Sequence, residues 1–210
     1  MKHVRLTYQI VLIRPQGYQH SDAFQEVIIL LKHGIESLGY PVVVIENEFS
    51  STNINIILGS HLLSADLIAK IPLSSIIYNL EQFDAHSMLN ATTVALFKTF
   101  TVWDYSKRNI EQFKKMGCQN SFYHVPIGYV PELTCIAQAP NQDSDVLFYG
   151  STNARREKIV AELRKNGLTV VSLFGVYGKA RDAFIARSKI IINIHFYDAS
   201  ILEIVRISYL

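Results

Sequence analysis

Cysteine is scarce in this 210-residue chain. The two present, Cys118 and Cys135, lie 17 positions apart with no His or Cys at ligand spacing beside them. That spacing argues against a zinc site and reads as reduced, unpaired thiols, so a cytoplasmic location is expected. Charge of one sign is also lacking. A formal net charge of +2, with no stripe of Lys and Arg, excludes the electrostatic footprint of a nucleic-acid binder. No run approaches 18 uninterrupted apolar residues, and the start, residues 1–13, is too broken for a secretory leader. The G-x-S-x-G elbow and H-E-x-x-H are missing, which argues against common hydrolases and zinc peptidases. Neither G-x-x-x-x-G-K-[ST] nor G-x-G-x-x-G occurs. Asp143, Ser144 and Asp145 match the letters of a D-x-D metal motif, but they lie in a presumed linker ahead of a strand. No metal is expected.

What is present is a foldable chain, with 49% apolar and 18% charged residues. Short β-branched runs alternate with helical-period segments, the pattern of βαβ units on a mostly parallel sheet. Strands are expected at 7–13, 42–45, 54–58, 75–78, 100–103 and 123–126, and the run Val42, Val43, Val44, Ile45 reads as covered on both faces. Helices are expected at 22–38, capped by Ser21 or Asp22, and around 86–97 and 106–116. Residues 131–144 lose periodicity and read as a linker. The alternation then restarts, with strands at 145–149, 168–174 and 189–195 and helices at 153–166, 179–188 and 200–210. The fold class is therefore α/β, two Rossmann-like parallel-sheet domains over 1–130 and 145–210. The second is expected to be C-terminally incomplete, because its last helix receives no stop signal and it has few strands for a sheet.

In open parallel sheets ligands bind beyond the carboxyl ends of the strands. The candidate site residues come from those loops. Gly150, Ser151 and Thr152 lead into a helix carrying Arg155, Arg156 and Lys158, which reads equally as a phosphate cradle or as a turn before a solvated helix. Glu203, between Leu202 and Ile204 near a helix start, is either a carboxylate that accepts ribose hydroxyls or an ordinary first-turn acid. His195 ends an apolar run and is either a core imidazole or aimed into the cleft. Gly17, His20 and Asp22 follow the first strand. His20 and Asp22 are candidates for a general base or for a capped, exposed loop. Glu81 and Asp104 follow the fourth and fifth strands. Tyr78, Trp103, Tyr105, Tyr123, Tyr129 and Tyr149 near strand ends suit a carbohydrate pocket or core and rim packing. A receiver-like domain is disfavoured, since the third strand runs into Leu58, Gly59, Ser60 and His61 without a phosphorylatable Asp.

These residues resemble a family. Segments 145–151 with 155–158, then 173–178, 192–197 and 202–210, and upstream 78–82, 102–106 with Asn109 and 124–129, are similar to bacterial group-1-like glycosyltransferases of GT-B fold. The resemblance implies transfer of a sugar from a nucleotide-diphosphate sugar to a glycan or lipid-linked acceptor, as in cell-surface polysaccharide biosynthesis. It implies no cofactor and no obligatory metal, and it allows peripheral association with a membrane. It places acceptor binding in the first domain and donor binding in the second. Glu203 would hold the donor ribose, while Gly150, Arg155 and Lys158 would neutralise the diphosphate, with Ser151 beside them in the donor-binding set, and the Gly17 loop would close on it. Many relatives carry two glutamates eight residues apart, and here the earlier position is His195. The base of an inverting reaction would be His20, Asp22, Glu81 or Asp104. The family pattern continues past Leu210, so a remnant that binds without catalysing is the alternative expectation.

Overall fold

The computed structural model describes residues 6–83, 91–118, 121–196 and 202–210. The chain divides into two compact units, Met1–Leu133 and Thr134–Leu210. Both are α/β.

The first unit is built on a six-stranded, wholly parallel sheet. Its strands are β1 (Tyr8–Leu12), β2 (Val42–Glu46), β3 (Ile54–Leu58), β4 (Ile76–Asn79), β5 (Thr101–Asp104) and β6 (Phe122–His124), in the spatial order β2-β1-β3-β4-β5-β6. Because β1 lies inside the sheet with β2 and β3 on either side, the connections leave in opposite directions and open a crevice at the carboxyl ends of β1 and β3. Helices α1 (Gln25–Ser37), α2 (Ala65–Ile68), α3 (Ala91–Thr99) and α4 (Lys107–Lys115) connect the strands. The core includes Val11, Ile13, Ile57, Ile77 and Val102 from the sheet, with Phe97 and Phe113 from the helices. Phe97 and Phe113 meet edge to face with ring centroids 4.8 Å apart.

Two local expectations are corrected. The run Val42–Glu46 is an edge strand, paired among the described residues with β1 alone, and Val43 and Val44 are 44% and 43% exposed. A continuous apolar run does not by itself distinguish a central strand from an edge. Ser21 and Asp22 do not cap α1: a 3-10 turn, Gln19–Phe24, precedes the helix, Ser21 Oγ donates to the carbonyl of Ile13 at 3.0 Å, and Asp22 pairs with Arg14. The first part of the helix expected at 86–97 lies outside the described residues.

The second unit has a three-stranded parallel sheet of β7 (Ser144–Tyr149), β8 (Val170–Leu173) and β9 (Ser188–Ile191), in the order β8-β7-β9. It repeats the plan of the first: the earliest strand is central and the crevice opens between its end and that of β9. Helices α5 (Ala154–Lys165), α6 (Gly178–Ala186) and α7 (Ile204–Ile207) belong to it, around a core of Val146, Phe148, Val160, Val170 and Ile194. The acids of the D-x-D lookalike fasten this sheet, Asp143 to Arg187 and Asp145 to Lys189 at 2.7 Å. Strand β9 stops at Ile191, so His195 sits in the loop beyond it. The start of the helix expected at 200–210 lies outside the described residues; the described helix is the single turn α7, and Glu203 directly precedes it.

Candidate functional site

The carboxyl end of β7 is where the second unit gathers its polar groups. Gly150 follows the strand with φ 127°. A side chain there is strained by the backbone angle, and a Cβ, 2.7 Å from Arg206 Nη1, would push the guanidinium aside. Asn153 then starts α5: its Oδ1 accepts from the backbone N–H of Arg156 at 2.9 Å, and its Nδ2 donates to the carbonyl of Phe196 at 2.7 Å. One side chain thereby ties the loop after β7 to the loop after β9.

Arg156 occupies the middle of this arrangement with its side chain only 1% exposed. The guanidinium lies over two aromatic rings, 5.3 Å from the centroid of Phe148 and 5.1 Å from that of Phe196. Its Nε donates to the carbonyl of Ile194 at 2.8 Å, Nη1 to that of Ser151 at 2.7 Å and Nη2 to Glu203 Oε1 at 2.7 Å. Burial holds its pKa below the ordinary arginine value, and the Glu203 carboxylate opposes that shift. The other Glu203 oxygen, Oε2, lies 2.8 Å from Arg206 Nη1 in an ion pair without hydrogen-bond alignment. Arg206 Nη1 also donates to the carbonyl of Tyr149 at 3.2 Å. Tyr149 Oη donates to the carbonyl of Arg206 and accepts from Tyr209 Oη, which pins the last segment to β7. Asn193 Oδ1 and His195 Nδ1 are buried and have no hydrogen-bond partner among the described residues.

Gly150, Ser151, His195 and Glu203 are therefore brought to one locus. Arg155 and Lys158 are not its buried cations; both are exposed on α5, and Arg156 takes the interior position. The signal was available: Arg156 stands four and seven residues before Val160 and Leu163, so it shares the apolar face of the helix. Glu203 is held by two arginines and is not an open acceptor for ribose hydroxyls. A cavity of about 120 Å³ beside Arg156, lined by Phe148, Thr152 and Val160, is smaller than the roughly 300–1,000 Å³ of ligand pockets.

In the first unit the crevice between β1 and β3 is flanked by ion pairs. Arg14 binds Asp22 at 2.6 Å and Glu46 at 2.8 Å, which takes the Asp22 carboxylate away from a role beside His20. The His20 ring packs edge-on against Tyr18, 5.2 Å between centroids, and Gly17 lies in the turn just before it. Gly59 follows β3 with φ 77°, a left-handed conformation that favours glycine. Two residues later His61 Nδ1 lies 3.5 Å from Glu81 Oε1. This carboxylate and imidazole, from the loops after adjacent strands, form a pair that sequence reasoning did not assemble.

Asp104 is fully buried and cannot reach an acceptor, which corrects its expected role as a base. Oδ1 accepts from the Ser106 N–H at 2.7 Å and Oδ2 from Asn79 Nδ2 at 2.6 Å, while Asn109 Nδ2 reaches both oxygens at 3.2 Å. Asn79 and Asn109 also donate to the carbonyl of Glu81. The carboxylate thus holds the loop that presents Glu81. Burial pushes its pKa up to about 7 against the pull of those hydrogen bonds. Tyr78 is buried with its hydroxyl donating to the Val125 carbonyl, whereas Tyr123 and Tyr129 are 55% and 63% exposed. Among the described residues no group of three or more His, Cys, Asp or Glu can hold a metal, and no helix is long and apolar enough to cross a membrane.

No protein-family model and no solved structure matches the chain. It is similar to three proteins of Acanthamoeba polyphaga mimivirus. Uncharacterized protein L138 is 39% identical over 67 residues, 31% of this chain and 8% of that protein. Uncharacterized protein L137 is 28% identical over 151 residues, 69% of this chain and 20% of that protein. Uncharacterized protein L140 is 31% identical over 106 residues, 48% of this chain and 34% of that protein. The chain thus matches about a third or less of the length of each of these relatives.

Proposed function

We propose that the chain binds a nucleotide-diphosphate sugar in its second unit and belongs to a metal-independent glycosyltransferase of GT-B type, acting on a hydroxyl of a glycan or lipid-linked acceptor. The observation that carries this reading is the meeting of Gly150, Arg156, Glu203 and Arg206 at the carboxyl end of β7, near polar atoms of Asn193 and His195 that have no hydrogen-bond partner among the described residues. Two guanidiniums next to a side-chain-free turn supply fixed positive charge for a leaving diphosphate, the service a metal renders elsewhere. Two successive doubly wound units accord with the GT-B assignment. On the acceptor side, the His61–Glu81 pair is the group suited to take a hydroxyl proton, with the carboxylate steadying the imidazole.

The test is thermal unfolding with UDP, GDP, ADP and CDP, followed by assay of nucleotide release from the corresponding sugars. One nucleoside diphosphate is expected to stabilise the protein by about 2.7 kcal/mol when present at about 100 times its dissociation constant. Absence of a shift with all four at millimolar concentration overturns the reading. A second reading, a binding protein without turnover, is favoured by the engagement of Glu203 with both arginines; stabilisation by a nucleotide with no release from any sugar donor would establish it.

A further inference from the structure

A guanidinium that is 1% exposed needs a counter-ion, and two of the three groups bonded to Arg156 are neutral carbonyls. Among the described residues the carboxylate bonded to it is that of Glu203. The same carboxylate reaches Arg206 with its second oxygen, 2.8 Å away. One small anion bridging two guanidiniums, each through a different oxygen, is also how a phosphate group is gripped. Gly150 completes the likeness. Its missing side chain admits the Arg206 guanidinium to within 2.7 Å of where a Cβ would lie, so the turn is shaped around the charged head and not around an apolar contact.

We propose that Glu203 is a built-in occupant of a two-arginine anion site: its carboxylate stands in for the phosphate of a ligand, and a phosphate-bearing ligand binds by displacing it. This rests on the phosphate-binding part of the proposed function and adds what fills the site at rest. Physics couples the two halves of the exchange. Arg156 cannot be left buried without an anion, so departure of the carboxylate and arrival of the phosphate occur together. The carboxylate then enters water, where a charge is well solvated. Apparent affinity is lowered by the small fraction of molecules in which the site is open, and weakening the internal competitor raises it.

The experiment is calorimetric titration of the full chain with inorganic pyrophosphate, comparing wild type, Glu203→Gln, Glu203→Asp and the double variant Glu203→Gln/Arg206→Ala. Glu203→Gln is expected to bind pyrophosphate about tenfold or more tightly than wild type, the signature of a competitor removed. Its thermal midpoint, lowered in chloride, is expected to recover in millimolar pyrophosphate. Glu203→Asp withdraws the carboxylate by one methylene but keeps the charge, and is expected to gain affinity to a smaller degree. The double variant should lose the gain. Equal or weaker pyrophosphate binding by both single variants overturns the proposal and makes Glu203 an ordinary structural counter-ion. If the gain appears but no nucleoside diphosphate binds, the anion site stands and the glycosyltransferase reading fails. If UDP or GDP binds wild type but neither single variant gains affinity, the reverse holds.

Discussion

Asp104 receives hydrogen bonds at both oxygens, and those donors decide what it can do. Its pKa rises from 3.8 to about 7 on folding, so between those values the native state holds more proton than the unfolded chain. The stability it contributes is fully present below the unfolded pKa and is lost as pH rises through about 7, by at most on the order of 4 kcal/mol at 1.36 kcal/mol per unit. Denaturant midpoints measured from pH 4 to 8 should therefore show wild type losing stability relative to Asp104→Asn across that window; a parallel course of the two proteins sinks the assignment. Sequence showed a polar residue ending a strand, which locates a site but not the direction a side chain takes. Arg156 illustrates the same gap: adjacent arginines look equivalent as charges, and only their spacing from Val160 and Leu163 separates the buried one from the exposed one.

Elements were more legible than side chains, because periodicity is a property of many residues together. Strand Ile54–Leu58 lies where its β-branched run places it, and Gly167, with φ 83°, closes α5 after Asn166. What periodicity does not report is the neighbour across the sheet, hence the surprise of β2 as an edge. Nor does it find links such as Asn153, which both caps α5 and bonds the loop after β9. Asn153→Asp keeps the cap acceptor but loses the donor to Phe196; Asn153→Ala loses both. Chemical denaturation is expected to rank wild type, Asp, Ala in falling stability, with the alanine lower than wild type by about 1–3 kcal/mol. An aspartate variant as unstable as the alanine would show that the cap contributes nothing.

At the scale of the molecule, the restart of strand–helix alternation after the aperiodic stretch announced two units. The boundary at Leu133 follows a 3-10 turn, Pro131–Leu133, which packs with α1 and belongs to the first unit; β7 begins at Ser144. The apolar cluster around Phe97 and Phe113 is drawn wholly from that first unit. A fragment of residues 1–133 is therefore expected to fold by itself, with a cooperative thermal transition and dispersed amide resonances. A fragment with neither would show that its core depends on the rest of the chain.

The strand order carries one more consequence. Once Leu58 has left the ribosome, β1 already has both of its neighbours, and each later strand, β4, β5 and then β6, joins the free edge left by the one before it. No strand has to be inserted between two already paired. The larger sheet can thus grow by accretion in the order of translation, never reopening hydrogen bonds it has made.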